Sequence, residues 1–463
     1  MDSRDSLKVC KFGGSSLSSA ERVGRVCDII ANDAGRRVVV VSAPGKRFKD
    51  DIKVTDLLID CAERRLAGED ASEQVDAIVR RYAEIETGLG IDESIAGQIA
   101  SDLHQRLNRE TGSSGRFIDM MKAAGEDNNA RLVAAALREK GIKASYVNPG
   151  DAGLLLTSEY GNAQVLPESF SNLKKLGHME DVVVFPGFFG YTREGQVATF
   201  PRGGSDITGA ILAATLRAEL YENFTDVDSV FPVDPSVVSG TEPIPELTYR
   251  EMRELSYAGF GVLHDEAIVP VVEAGIDICI KGVDNPAAPG TFVRPARDHV
   301  PGHVIGIAGS KGFCTIFLEK YLMNRELGIG RKVCQVLEEE NLSYEHMPSG
   351  IDSLSIIVKE ADFEAGKEER VLRRLSEATG VKGISVERNL ALIMMVGEGM
   401  RYSIGLASRA TAAIAQAGVS IEMINQGSSE ISIMFGVKSQ DKDKVLLHLY
   451  KTFFERNEPE AGI

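Results

Sequence analysis

Four consecutive valines, Val38 to Val41, limit the fold of this chain more than any other feature. Successive strand residues point to opposite faces, so such a run offers no side to water. It belongs in a strand covered on both faces, as in a parallel sheet with helices above and below. Further apolar runs, Ala144 to Val147, Val182 to Phe185, Ala218 to Phe224 and Ile276 to Ile280, alternate with stretches of helical spacing. The expected fold is α/β, a mainly parallel sheet sandwiched by helices over residues 1–297. Between Val54 and Arg116 the spacing of Leu57, Leu58 and Cys61, then Val75, Ile78 and Val79, is helical without a convincing strand. It reads as a helical lobe over about 54–116.

Pro286, Pro289-Gly290, Pro295 and Pro301-Gly302 form a breaker-rich zone that ends this part. Beyond it, His303 to Ala308 and Cys314 to Glu319 read as strands, Arg331 to Glu340 as a helix, Asp352 to Val358 as a strand and Glu368 to Thr379 as a helix. A similar order recurs at Ala391 to Val396, Ile404 to Ala417, Glu430 to Val437 and Lys442 to Phe454. Two ferredoxin-like α+β domains in tandem are expected, at 298–386 and 387–463.

Glycine pairs mark two strand ends. In Val9-Cys10-Lys11-Phe12-Gly13-Gly14-Ser15-Ser16, an apolar strand carries a lysine into Gly13-Gly14, and hydroxyls open a helix. Glycine lets backbone N–H groups approach an anion, and Lys11 adds a point charge. The order is not that of a Walker A loop. In isolation, a strand-to-helix turn that needs glycine explains the string equally well. The second pair stands in Arg202-Gly203-Gly204-Ser205-Asp206, downstream of Gly187-Phe188, with Ser205 or Asp206 placed to cap a helix. Two cradles, one with a lysine and one with an arginine and a carboxylate, suit two anionic ligands facing each other. Gly125-Glu126 and Thr225-Asp226 complete the polar set.

In these strings, in their order, the chain resembles the aspartate kinases, with Gly125-Glu126 at a helix start. Val40 to Gly45 followed by Lys53-Val54-Thr55-Asp56, and Asn425 to Ile431 near the C-terminus, extend the likeness over nearly the whole chain. It implies an amino-acid-kinase fold with two ACT domains as amino-acid sensors. It also implies ATP as donor with Mg²⁺, L-aspartate as acceptor, and feedback by an end-product amino acid.

The residues themselves suit those roles. Lys11 would meet the β- and γ-phosphates beside the amides of Gly13, Gly14 and Ser15, with the amides of Gly203 and Gly204 opposite; Gly203, Gly204 and Ser205 are also expected to line the acceptor site. Arg202 suits a bidentate grip on a carboxylate, Glu126 an ammonium, and Thr55 a hydroxyl contact. A solvated arginine, a first-turn carboxylate and a helix N-cap are the plainer readings of these three. The resemblance adds Asp206 as organiser of the phosphate lysines and Phe188 as a pocket wall. Thr225, Asp226, Phe231, Asp234 and Lys281 are assigned to the nucleotide. Here the sequence departs from the family, with Ser229, Phe231 and Pro232 to Ser236 in place of its usual run, and Gly261 where a lysine precedes Val262-Leu263-His264. His264 reads as a packed or capping residue. No metal cage is expected, Mg²⁺ arriving with ATP.

In the sensor part the turn Met323, Asn324, Gly328, Ile329, Gly330 is the expected effector site, with Glu345 and Ser349 answering amino groups. That acidity favours lysine as effector. Gln426, Ser428 and Ser429 resemble a segment that meets a partner unit in a homodimer built through the ACT domains. Composition adds limits: 52 Lys and Arg against 68 Asp and Glu leave a net charge of −16, which disfavours nucleic acid. No apolar run suits a membrane span, and six cysteines without C-x-x-C spacing suit a reducing cytoplasm. A related kinase with another carboxylate or carbamate acceptor, and a non-catalytic sensor with a degenerate kinase body, remain as alternatives.

Overall fold

A computed structural model describes residues 7–263, 267–427 and 431–455. The chain forms two compact units: Met1–Val230 with Pro243–Ser256 and Gly261–Arg297, and Phe231–Glu242 with Tyr257–Phe260 and Asp298–Ile463.

The first unit is built on an eight-stranded sheet. Its strands are β1 (Lys8–Phe12), β2 (Arg36–Val41), β3 (Ala144–Tyr146), β4 (Val182–Pro186), β7 (Leu220–Thr225), β8 (Glu246–Thr248), β9 (Ile278–Gly282) and β10 (Thr291–Arg294). A hairpin of β5 (Phe189–Tyr191) and β6 (Val197–Thr199) follows β4. The order is β3-β4-β2-β1-β7-β9-β10-β8, parallel except between β9 and β10. All four residues Val38 to Val41 are at most 1% exposed, as their lack of alternation demands.

Between β2 and β3 the chain forms helices Val54–Ala67, Ser72–Leu89, Ile95–Leu107 and Ser114–Glu139. The last is buried along most of its length, consistent with its alanine-rich run from Ala134 to Ala136. Gly125 therefore lies in the middle of a helix and not at its start. There, a Cβ would come within 2.8 Å of the Ala43 side chain, so glycine permits close approach to the loop after β2.

One face of the sheet holds Phe12 stacked on Phe224 with centroids 4.7 Å apart. The Arg36 guanidinium lies over the Phe224 ring and grips Glu222 through two bonds of 2.6 and 2.8 Å. Burial alone would raise the Glu222 carboxyl's pKa, but the fork of Arg36 holds it below its ordinary value.

The second unit is an antiparallel sheet of β11 (Gly306–Glu319), β12 (Ser353–Lys359), β13 (Gly383–Val396), β14 (Met423–Asn425) and β15 (Ser432–Lys438), ordered β12-β11-β13-β15-β14. Two ferredoxin-like halves share its two long strands. Cys314, Ile316 and Leu318 pack into a core with the helices Ile329–Glu339 and Ala365–Thr379. Ile307, Ile393 and Met395 pack into another with the helices Leu406–Gln416 and Lys442–Phe453. The register shifts around Gly312, whose φ of 92° needs glycine, and there β11 passes from one half to the other. Thus the strand expected at His303 to Ala308 serves the later half, the first half is nested within the second, and β13 runs unbroken through the expected division at 386. The segment Phe231–Glu242 also differs from the expected boundary at 297, because Val233 and Val238 enter the core of the second unit.

Replacing Glu222 by alanine would strand the Arg36 guanidinium in a buried site. The variant should lose about 3–5 kcal/mol in urea unfolding, while Arg36→Met with Glu222→Leu recovers most of it. A loss below about 1 kcal/mol in the single variant would show that the pair is not what holds this face.

Candidate active site

Lys11 is the penultimate residue of β1, on the face opposite Phe12, and is 8% exposed. Its ammonium lies 2.6 Å from Asp206 Oδ1 and 3.5 Å from Asn223 Oδ1, and Asn223 Nδ2 donates to Asp206 Oδ1 at 2.9 Å. Three elements meet here, since Asn223 is Lys11's register partner on β7 and Asp206 lies in the first turn of the helix Gly204–Leu216. An unpaired carboxylate beside phosphate would be repelled, and Lys11 supplies the partner. Asn223 has no motif of its own; only its place opposite Lys11 marks it.

The two glycine pairs are used differently. Gly13 and Gly14 lead into a short 3₁₀ turn, Gly14–Leu17, and the α-helix Ala20–Ala31 starts later with Ser19 as its cap. The helix end expected beside Ser15 is therefore displaced by several residues. Gly14 presses against the loop after β2: the Gly45 amide donates to Gly14 O at 2.8 Å, and a Cβ on Gly45 would stand 2.6 Å from the Gly14 carbonyl carbon. At the other pair, Gly203 caps the helix Gly204–Leu216 with φ 81°, so neither Ser205 nor Asp206 is the cap. Ser205 instead packs under Gly187, where a Cβ would lie 2.7 Å from its side chain. A Cβ on Gly204 would meet the Phe188 ring at 2.7 Å.

Phe188 itself has a φ of 74°, costly for an aromatic residue. Its amide donates to Thr208 Oγ1 at 3.0 Å and its carbonyl accepts from Phe200 at 2.9 Å, which hold the ring in place. Arg202 is exposed and makes no ion pair among the described residues. Thr55 lies in the first turn of the helix Val54–Ala67, whose cap is Lys53.

Glu126 projects from mid-helix, which removes the first-turn reading of its charge. It is 6% exposed, and its Oε2 has no hydrogen-bond partner. Burial pushes its pKa up to about 8, against the opposing Ala43 amide and the Lys122 charge. Nearby, Asn129 donates to Ser42 O at 2.6 Å while its own Oδ1 is unpartnered. A buried carboxylate with an open oxygen suits a ligand cation.

The nucleotide set is only partly assembled. Thr225 ends β7 and donates to Asp226 at 3.0 Å. Lys281 is in register with Phe224, so it leaves the sheet on the face opposite Lys11. Phe231 and Asp234 belong to the second unit, and Asp234 closes a local turn by accepting from the amide and hydroxyl of Ser236. His264, Ser428 and Ser429 lie outside the described residues.

In the second unit, Met323 is buried in a 3₁₀ turn, and Gly328 with φ 81° precedes the helix that Ile329 and Gly330 open. Asn324 N–H donates to Ile351 O, placing the turn beside the loop that Ser349 enters from its bridge to Leu354. Glu345 does not join them. It pairs with Ile357 toward the other end of β12, where Tyr257 and Lys359 hold its carboxylate. Glu326, unforeseen, sits at the turn with Lys320 and Lys332, whose bonds hold its pKa down at about 2.

Residues 6–282 match the amino acid kinase family and residues 393–453 the ACT domain. Aspartokinase 3 of Bacillus subtilis (strain 168) is 53% identical over 448 residues, spanning 97% of this chain and 99% of that protein. The crystal structure of Clostridium acetobutylicum aspartate kinase superposes with a TM-score of 0.84 at 36% identity, covering 96% of this chain and 100% of that one. The E. coli aspartokinase III structure in complex with lysine and aspartate (T-state) gives a TM-score of 0.77 at 25% identity, covering 97% and 100%.

The raised pKa of Glu126 carries a sign. Its folded value of about 8 lies above the ordinary 4.5, so the stability tied to its proton is whole below pH 4.5 and is lost as pH rises to 8. Glu126→Gln should therefore match the parent in thermal stability at pH 4.5 and exceed it at pH 8, by an amount on the order of a few kcal/mol. Equal stability at both pH values would mean that Glu126 titrates normally.

Proposed function

This chain belongs to the aspartokinases, within the amino acid kinase family, and we propose that it transfers the γ-phosphoryl group of ATP to the side-chain carboxylate of L-aspartate, giving ADP and 4-phospho-L-aspartate. The observation that carries this reading is the Lys11–Asp206–Asn223 cluster, set between the Gly13-Gly14 turn and the Gly203-Gly204 helix start. A carboxylate oxygen forms the new P–O bond while the bond to the ADP oxygen breaks. Lys11 and the amides of Gly14, Gly203 and Gly204 would offset charge on the phosphates, while the Gly13 amide is spent on the Phe224 carbonyl at 3.2 Å. The acceptor is already ionised, an ordinary aspartate titrating near about 3.9, so no general base is required. Mg²⁺ would travel with ATP and be held largely by phosphate oxygens.

Glu126 would receive the acceptor's ammonium and Arg202 a carboxylate, with Phe188 walling the pocket and Thr55 and Ser205 at its edge. Glu126 must lose its proton to bind that ammonium. Aspartate affinity should then fall as pH drops below about 8, and Glu126→Gln should flatten this dependence.

Regulation is proposed on separate grounds. The E. coli relative was solved with lysine and aspartate together, and the turn at Met323 to Gly330 opens a helix beside Ser349. Lysine would act there, in a dimer through the ACT domains and in the cytoplasm. Among the described residues no helix is long and apolar enough to cross a membrane.

An ADP-release assay across aspartate, glutamate and carbamate tests the reaction. Lys11→Ala should lower kcat by about 10²–10³ while the protein stays folded. Activity within a few-fold of the parent would reject Lys11 as a phosphate ligand. Lysine should inhibit the parent; inhibition by threonine alone would exclude lysine as the effector.

A further inference from the structure

One cation near this site has no part in the roles above. Lys122 lies one helical turn before Glu126 and three residues after Asp119, so all three share a face of the helix Ser114–Glu139. Its side chain is 16% exposed. The ammonium sits 3.1 Å from Asp119 Oδ1 and 5.4 Å from the centroid of the Phe188 ring.

Only one oxygen of Asp119 relies on Lys122. Asp119 Oδ2 already accepts the amides of Gly161 and Thr199, each at 2.8 Å. Those bonds pin the loop around Gly161 and strand β6 to the helix, and would remain if Lys122 moved. Packing against Phe188 does not need a charge either, since an apolar side chain would cover the ring without partial desolvation of an ammonium. The lysine thus pairs with one oxygen of Asp119 and sits against the Phe188 ring, whose backbone is strained into place.

Charge arithmetic gives it a use. Aspartate brings two carboxylates and one ammonium. Glu126 and Arg202 together are neutral, which leaves one acceptor charge uncompensated. Lys122 adds a second cation that can face the acceptor, while Asp119 behind it, held by two amides, keeps the pocket's own total at zero.

Resting on the acceptor assignment above, we infer that Lys122 is an acceptor-binding and specificity residue: its ammonium swings from Asp119 to the acceptor carboxylate that is not phosphorylated, sharing it with Arg202. The flexible four-carbon stem and rotatable donors of lysine suit a group that changes partner. The ring of Phe188 gives the ammonium a favourable surface in either position.

The test uses the full-length protein with Lys122→Met, which keeps the stem's packing, and Lys122→Arg, which keeps the charge. Steady-state kinetics on L-aspartate are combined with equilibrium binding of L-aspartate and of its α-amide, which lacks the charge in question. Lys122→Met should raise the aspartate KM and Kd about ten- to a hundredfold, with kcat falling less than threefold and α-amide binding changing less than twofold. Lys122→Arg should recover most of the loss. Equal losses for aspartate and the α-amide, or no loss for either, would overturn the inference. Parent turnover on aspartate reads separately: its absence would sink the proposed reaction, whereas normal turnover with an unchanged Lys122→Met would sink only the role of Lys122.

Discussion

Two loops touch backbone to backbone at Gly14 and Gly45, and the geometry of the site follows from that contact. The Gly45 amide bonds Gly14 O, and a side chain on either residue would meet backbone atoms closer than 3.0 Å. Three residues of the β2 loop thereby reach three places. Ser42 is held by Asn129, Ala43 lies where Gly125 leaves room for it, and Gly45 braces the turn after Lys11. The Lys11 end and the Glu126 end of the site are tied together through a few atoms of main chain. Buried Tyr82, donating to the Gly125 carbonyl at 2.8 Å, supports the same junction from the helical side.

The electrostatics of the two ends are opposite in kind. At Lys11 the charges are paired and hydrogen-bonded, so the cluster is complete before any ligand arrives. At Glu126 an oxygen is left open and the carboxyl is driven toward its protonated form. A residue held in that state weakens the fold at neutral pH and gains only when a cation binds. This is the pattern expected of a binding site, where function and stability draw on the same residue in opposite directions.

The parallel sheet was legible in the sequence because Val38 to Val41 cannot alternate, and the site because both glycine pairs carry charged neighbours. Helical spacing located most of the sensor helices. What escaped was set by long-range contact. Asn223 meets Lys11 through sheet register and Lys122 meets Asp119 along the helix face, and a local string shows neither. Glu345 looked like a ligand for an amino group, but its strand register delivers it to Lys359. Phe231 and Asp234 follow Thr225 closely in sequence, yet the chain crosses into the other compact unit between them. The nested sensor escaped for a similar reason, since periodicity records strands but not which strands they pair with.

That nesting orders events in time. As the chain leaves the ribosome, the first part of β11 emerges well before the second part of β13, its partner in the Leu390 to Val396 register. The inner half can assemble from a nearly continuous stretch, whereas the outer half must wait for sequence on both sides of it. Long loop closure of this kind slows assembly and leaves the early strand edge unpaired. Once formed, the inner half clamps the two long strands of the outer one, so the pair cannot be cut apart or exchanged as modules without severing a strand.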